Sequence, residues 1–159
     1  MDELKNSEHI KFDPQKHVKI IDCEEDRSVP YRGKAFLTSP EINLYLCGNT
    51  TWKQFLNNDR RAIQSILLHK LIHLYDQKVQ NYNFYSAQDL ACTEIRAFNL
   101  SNSCGDRGSK ICLMDKVSHT LGKTNATKYI SEKERLQIIS SVWMRCVRDE
   151  SPFTRKQDD

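Results

Sequence analysis

A chain of 159 residues can bury one hydrophobic core, and 38% hydrophobic with 28% charged residues excludes a disordered polymer or a membrane-embedded bundle. The net charge of +3 comes from scattered basic residues, which gives no electrostatic footprint for nucleic acid. No stretch approaches the roughly eighteen apolar residues of a membrane span. The first residues lack the apolar centre of a secretory signal, and their acids argue against an ordinary transit peptide, so entry into an organelle is expected to use another route.

In chain order, residues 1–16 are charged and aperiodic and read as a flexible arm. The β-branched run from Val18 to Cys23 reads as a strand, and Glu24 to Lys34, with Pro30 and Gly33, as a loop. Residues 35–38 and 42–46 flank Ser39-Pro40-Glu41 and predict a hairpin with Ile42, Leu44 and Leu46 on one face. Trp52, Phe55 and Leu56 suggest a helix beginning near Thr51. A buried central helix is predicted from after Asn58 to about Val79.

Ser86-Ala87-Gln88-Asp89 resembles a capping box and opens a helix through Leu90, Glu94 and Phe98 to about Leu100. Leu113, Val117 and Leu121 predict another at i, i+4, i+8. Ser131 and Glu134 form a second capping box, heading a helix through Leu136, Ile139, Val142, Trp143 and Cys146 that Pro152 closes. The expected architecture is a single α+β domain over 17–153, with a small β-sheet and its edge hairpin packed on the central helix. Residues 154–159 read as a tail.

Six cysteines without a close Cys-x-x-Cys pair favour disulfides over a structural zinc ribbon. Reduced, buried thiols are the plainer alternative, and the sequence does not choose a pairing. Three Asn-x-Ser/Thr matches, at Asn49, Asn99 and Asn125, read as chance without a secretory signal.

The central helix carries His69-Lys70-Leu71-Ile72-His73-Leu74-Tyr75-Asp76. Histidines four apart lie on one helix face about one turn apart, the spacing by which a helix offers two imidazoles to a zinc ion. Paired core histidines are the simpler reading of that spacing alone. Glu94, on the inward side of the next helix, would complete a His₂Glu zinc set. Otherwise it is a core-edge acid paired with Arg96 or another base. Asp76 lies two turns beyond His69, about 10 Å along the axis. It is cast as an acceptor behind the ligands or a structural acid.

In the protease motif His-Glu-x-x-His, the glutamate takes a proton from the water held by the metal. Here that place holds Lys70. Protonated lysine has no lone pair and shares the metal's sign. The plain reading is a surface lysine snorkelling from a buried helix; on either reading, ordinary proteolysis is not expected.

The same octapeptide resembles the His-Glu-Leu-Ile-His-x-x-Asp motif of the mitochondrial inner-membrane metalloprotease and ATP synthase assembly family. Leu90-Ala91-Cys92-Thr93-Glu94-Ile95-Arg96-Ala97-Phe98-Asn99-Leu100 is similar to that family's Leu-Ala-Cys-x-Glu-Ile-Arg-Ala-x-Asn-Leu signature. Ile21-Asp22-Cys23, Leu46-Cys47 and the closing 146–153 segment also fit, so the resemblance spans roughly Val18 to Phe153.

It implies a cysteine-rich zincin-like domain in the mitochondrial intermembrane space, peripheral to the inner membrane. Family members process an ATP synthase subunit precursor and assist assembly of the membrane rotor, a role separable from the catalytic glutamate. His69 and His73 carry over as zinc ligands, with Glu94 as the inferred third, and the catalytic glutamate does not carry over. The expected function is a pseudoprotease serving an inner-membrane respiratory or ATP synthase complex. The alternatives are an active zinc endopeptidase using another base, such as Asp76 or Glu94, and a nuclear or cytosolic binding module. Zinc retention stays open between three persistent ligands and the opposing charge of Lys70.

Overall fold

The computed structural model describes residues 60–105 and 109–153, together with the backbone of three strands at β1 (Val18–Cys23), β2 (Tyr31–Ala35) and β3 (Ile42–Cys47). Four helices follow: α1 (Arg60–Lys78), α2 (Ala87–Leu100), α3 (Lys110–Lys123) and α4 (Glu132–Val147). The helix expected near Thr51, the arm over 1–16 and the tail over 154–159 lie outside the described residues.

The expectation of an α+β domain is corrected here. Every buried hydrophobic side chain described belongs to α1–α4, so the described body of the protein is helical. The physical reason lies in α2. All of its residues from Leu90 to Ala97 are buried, and α1, α3 and α4 each pack against it. Among the described residues, helix-on-helix packing closes this core. The buried centre is α2 rather than the histidine-bearing α1, whose side chains before Ile72 are only partly covered.

The strand backbones take the order β1-β3-β2, with β1 parallel and β2 antiparallel to β3. The predicted hairpin arm at residues 35–38 is displaced: β2 starts at Tyr31, inside the stretch read as a loop. As an edge strand, β2 carries Arg32, Gly33 and Lys34, the charged and turn-like composition that edges tolerate and that mimics a loop in sequence.

The helix boundaries follow local chemistry. Beyond α1, Asn81 adopts a left-handed conformation (φ 57°) and the Tyr82 N–H returns to the Asp76 carbonyl at 2.9 Å. The Ser86 hydroxyl caps α2 by accepting from the Asp89 N–H, while the Asp89 carboxylate accepts from the Asn83 N–H. Ser131 and Glu134 form the complete capping box expected for α4. Leu113, Val117 and Leu121 all enter the core from α3, whereas Leu136 stays on the outer face of α4.

Two disulfides fasten this core: Cys92–Cys146 joins α2 to α4, and Cys104–Cys112 joins the turn after α2 to α3. The expected oxidation therefore holds for these four cysteines. Cys23 and Cys47 stand opposite each other in the β1–β3 register. No described helix is long and apolar enough to cross a membrane.

Candidate metal centre

Contacts between α1 and α2 run in opposite numerical order. Ser65 donates to the Ser101 carbonyl, His69 stacks edge-on with Phe98, and His73 meets Thr93. The two helices are therefore antiparallel, and the imidazole face of α1 is laid against the one turn of α2 that carries Glu94.

The result is a compact donor set. His69 Nε2 and His73 Nε2 lie 3.0 Å apart, and they lie 3.5 and 3.4 Å from the two oxygens of Glu94. Ligands held about 2.0–2.1 Å from a tetrahedral zinc sit about 3.3 Å from one another. The three separations match that spacing. Glu94 Oε2 is also buried without a hydrogen-bond partner, which is costly for a carboxylate unless a cation completes the site. The donor chemistry and the orphaned oxygen together fit a metal ion, and these three residues are the group among the described residues that could hold one.

Burial sets the electrostatics. It pushes His73 down to about 3, with His69 and Lys70 adding to the effect and Glu94 opposing it. The imidazole is thus neutral, as a ligand must be. Burial would raise the Glu94 carboxyl, but its electrostatic coupling to His73, His69 and Lys70 and a polar contact with the His69 ring outweigh that and hold it at about 2. Phe98 and Phe84 give the histidines an apolar flank.

Lys70 is partly buried on the same helix. Desolvation lowers its pKa and the Glu94 carboxylate raises it, so the lysine shares the electrostatic field of the donor set.

Asp76 makes no direct hydrogen bond to either histidine. Its Oδ2 accepts from the Thr93 hydroxyl at 2.7 Å, and the Thr93 oxygen lies 2.9 Å from His73 Nδ1. Burial raises the Asp76 carboxyl, while Thr93 and Arg96 act to lower it. Arg96 does not pair with Glu94, the partner considered for it from sequence. It is fully buried and holds Asp76, the Asp149 carboxylate and the Asp149 and Ser151 carbonyls. Thr93 and Asp149 carried no signal of their own in sequence. Thr93 stands beside Glu94 in the second motif, and Asp149 lies within the closing 146–153 segment.

The sequence pattern of the peptidase M76 family matches residues 1–154. The chain belongs to the peptidase M76 family. That is a family of metallopeptidases, and His69, His73 and Glu94 form a group that could hold a metal ion.

Among similar proteins are three named mitochondrial inner membrane protease ATP23. The one from Meyerozyma guilliermondii is 30% identical, over 73% of this chain and 50% of its own length. The one from Debaryomyces hansenii is 30% identical, over 79% and 54% respectively. The Saccharomyces cerevisiae protein of the same name is 26% identical, over 94% of this chain and 66% of its own. The chain thus spans about half the length of the first two relatives. No solved structure matches it.

Proposed function

We propose that this M76-family chain is a pseudoprotease that keeps the metal-binding frame of its family and serves as a structural or assembly subunit. Its place would be the mitochondrial intermembrane space, peripheral to the inner membrane, with a respiratory or ATP synthase complex as partner. The names of its relatives support a location at the mitochondrial inner membrane, and the resemblance of its two central motifs supports the intermembrane-space side and the assembly role.

The observation that carries this reading is Lys70 beside an intact donor triangle. A zinc ion held by His69, His73 and Glu94 would supply Lewis acidity for hydrolysis. The protein must then supply a base, and the family's position for it holds a lysine. Loss of a general base typically costs about 10²–10⁴-fold in rate.

The substitutes weighed from sequence are poorly placed. Both oxygens of Asp76 accept hydrogen bonds in a fully buried network, and the Glu94 carboxylate faces the two imidazoles.

The test is metal content per chain on unchelated protein, with cleavage of casein and of an ATP synthase precursor peptide by wild type and Lys70→Glu. One zinc per chain, no cleavage by wild type and cleavage by Lys70→Glu is the expected pattern. Turnover by wild type would establish the active endopeptidase instead.

A further inference from the structure

We infer that Thr93 is a positioning residue for the metal centre, its hydroxyl fixing the proton of His73 on Nδ1 so that the Nε2 lone pair faces the metal position. The inference rests on reading His69, His73 and Glu94 as the donor set.

The chain of contacts starts at Arg96 and runs inward. A guanidinium has five N–H donors, no acceptor, and a charge it cannot give up. All five N–H directions have partners here. Nε and Nη2 donate to the Asp76 oxygens, and Nη2 also donates to the Ser151 carbonyl. Nη1 donates to the Asp149 carbonyl and contacts its carboxylate. Asp76, with no exposed surface and a fixed cation against both oxygens, is held as the acceptor of the network.

Thr93 has a single hydroxyl proton and gives it to Asp76 Oδ2 at 2.7 Å. Only lone pairs remain on that oxygen. His73 Nδ1, at 2.9 Å, must therefore be the donor. Neutral imidazole carries one proton, so Nε2 is left as the acceptor, and this is the atom facing His69 and Glu94.

Carboxylate-to-histidine contacts of this kind orient metal ligands and raise their basicity. Here a threonine stands between the acid and the ring. Thr93 is fully buried and adjacent in sequence to Glu94, so one turn of α2 supplies both a donor atom and the group that orients another. The network also ties His73 to the 149–151 turn.

The experiment uses the full chain in two arms. The first reads the His73 tautomer from ¹⁵N shifts of the ring in metal-free wild type, Thr93→Ser and Thr93→Val. Wild type and serine should show the Nδ1–H form, and valine should lose that preference. The second titrates zinc and cobalt(II) against a chelator. Valine should weaken binding about 10–100-fold, and serine should stay close to wild type.

A wild-type His73 protonated on Nε2 overturns the inference without any variant. So does a valine variant that matches serine in both arms. Thr93→Ala replaces valine if that variant does not fold, with the same outcomes read from it. If even wild type binds no metal, the reading of the donor set fails, while the tautomer arm still decides the role of Thr93.

Discussion

Arg96 and Asp76 meet inside the protein with neither side chain exposed, the guanidinium Nε 3.0 and 3.1 Å from the two carboxylate oxygens and Nη2 2.9 Å from Oδ1. This pair joins three elements: the end of α1, the middle of α2 and the turn after α4. Removing one partner of a buried pair leaves the other charge uncompensated, at about 3–5 kcal/mol. Arg96→Met should therefore lower unfolding free energy in urea by that amount. The double variant Arg96→Met/Asp76→Leu should recover much of the loss, since it strands neither charge in the Arg96–Asp76 pair. A double variant as unstable as the single would show that the Asp149 and Ser151 contacts, not the ion pair, dominate.

Asp149 gives this network an acid dependence. Partial burial would raise its carboxyl, but hydrogen bonds from Ser151 and the Arg96 guanidinium prevail and hold it below the ordinary carboxylate range. A group depressed in the folded state contributes stability above its unfolded value, and that contribution is lost as pH falls through the folded value. Stability should thus decline as pH drops below the ordinary aspartate value of about 3.9. Asp149→Asn should flatten this limb of the curve, measured by thermal melts between about pH 5 and pH 2. An unchanged slope would assign the acid sensitivity elsewhere.

The site was legible where its chemistry is local. His69 and His73 share a face by helical spacing alone, and Glu94 lies on the apolar side of a helix that its own capping residues announce. The partners of Arg96 were not legible, because two of them come from the turn at 149–151, which reaches it only after α3 and α4 have folded around α2. The Cys92–Cys146 pairing is non-local for the same reason. Class was misread because nothing local reveals that α1, α3 and α4 all pack on α2 and make the described core helical. Edge strand β2 was hidden by its own charges.

The two described disulfides should separate under reduction. Cys92 and Cys146 are fully buried, whereas Cys104 and Cys112 are partly exposed, so a mild reductant should open Cys104–Cys112 first. Chain-entropy loss scales with the loop closed. Separations of 54 and 8 residues correspond to about 4 and about 2.5 kcal/mol. Cys92→Ser/Cys146→Ser should therefore cost more stability than Cys104→Ser/Cys112→Ser. Mass-spectrometric alkylation over a reductant series, with urea melts of both variants, checks order and size.

Lys70→Glu should also separate two effects of charge at the metal centre. In metal-free protein Lys70 helps hold the buried Glu94 carboxylate in its ionised form. Exchanging the ammonium for a carboxylate puts like charges together, so the metal-free variant should melt below wild type. Zinc reverses the balance, because a cation between carboxylates is favoured where a cation beside an ammonium is opposed. A ligand at 100 times its Kd stabilises by about 2.7 kcal/mol. At one fixed zinc concentration, the gain in melting temperature should therefore be larger for Lys70→Glu than for wild type. Equal gains would mean that the Lys70 charge is screened from the donor set. Chelation with EDTA should return each protein to its own metal-free value, which separates binding at the site from irreversible change.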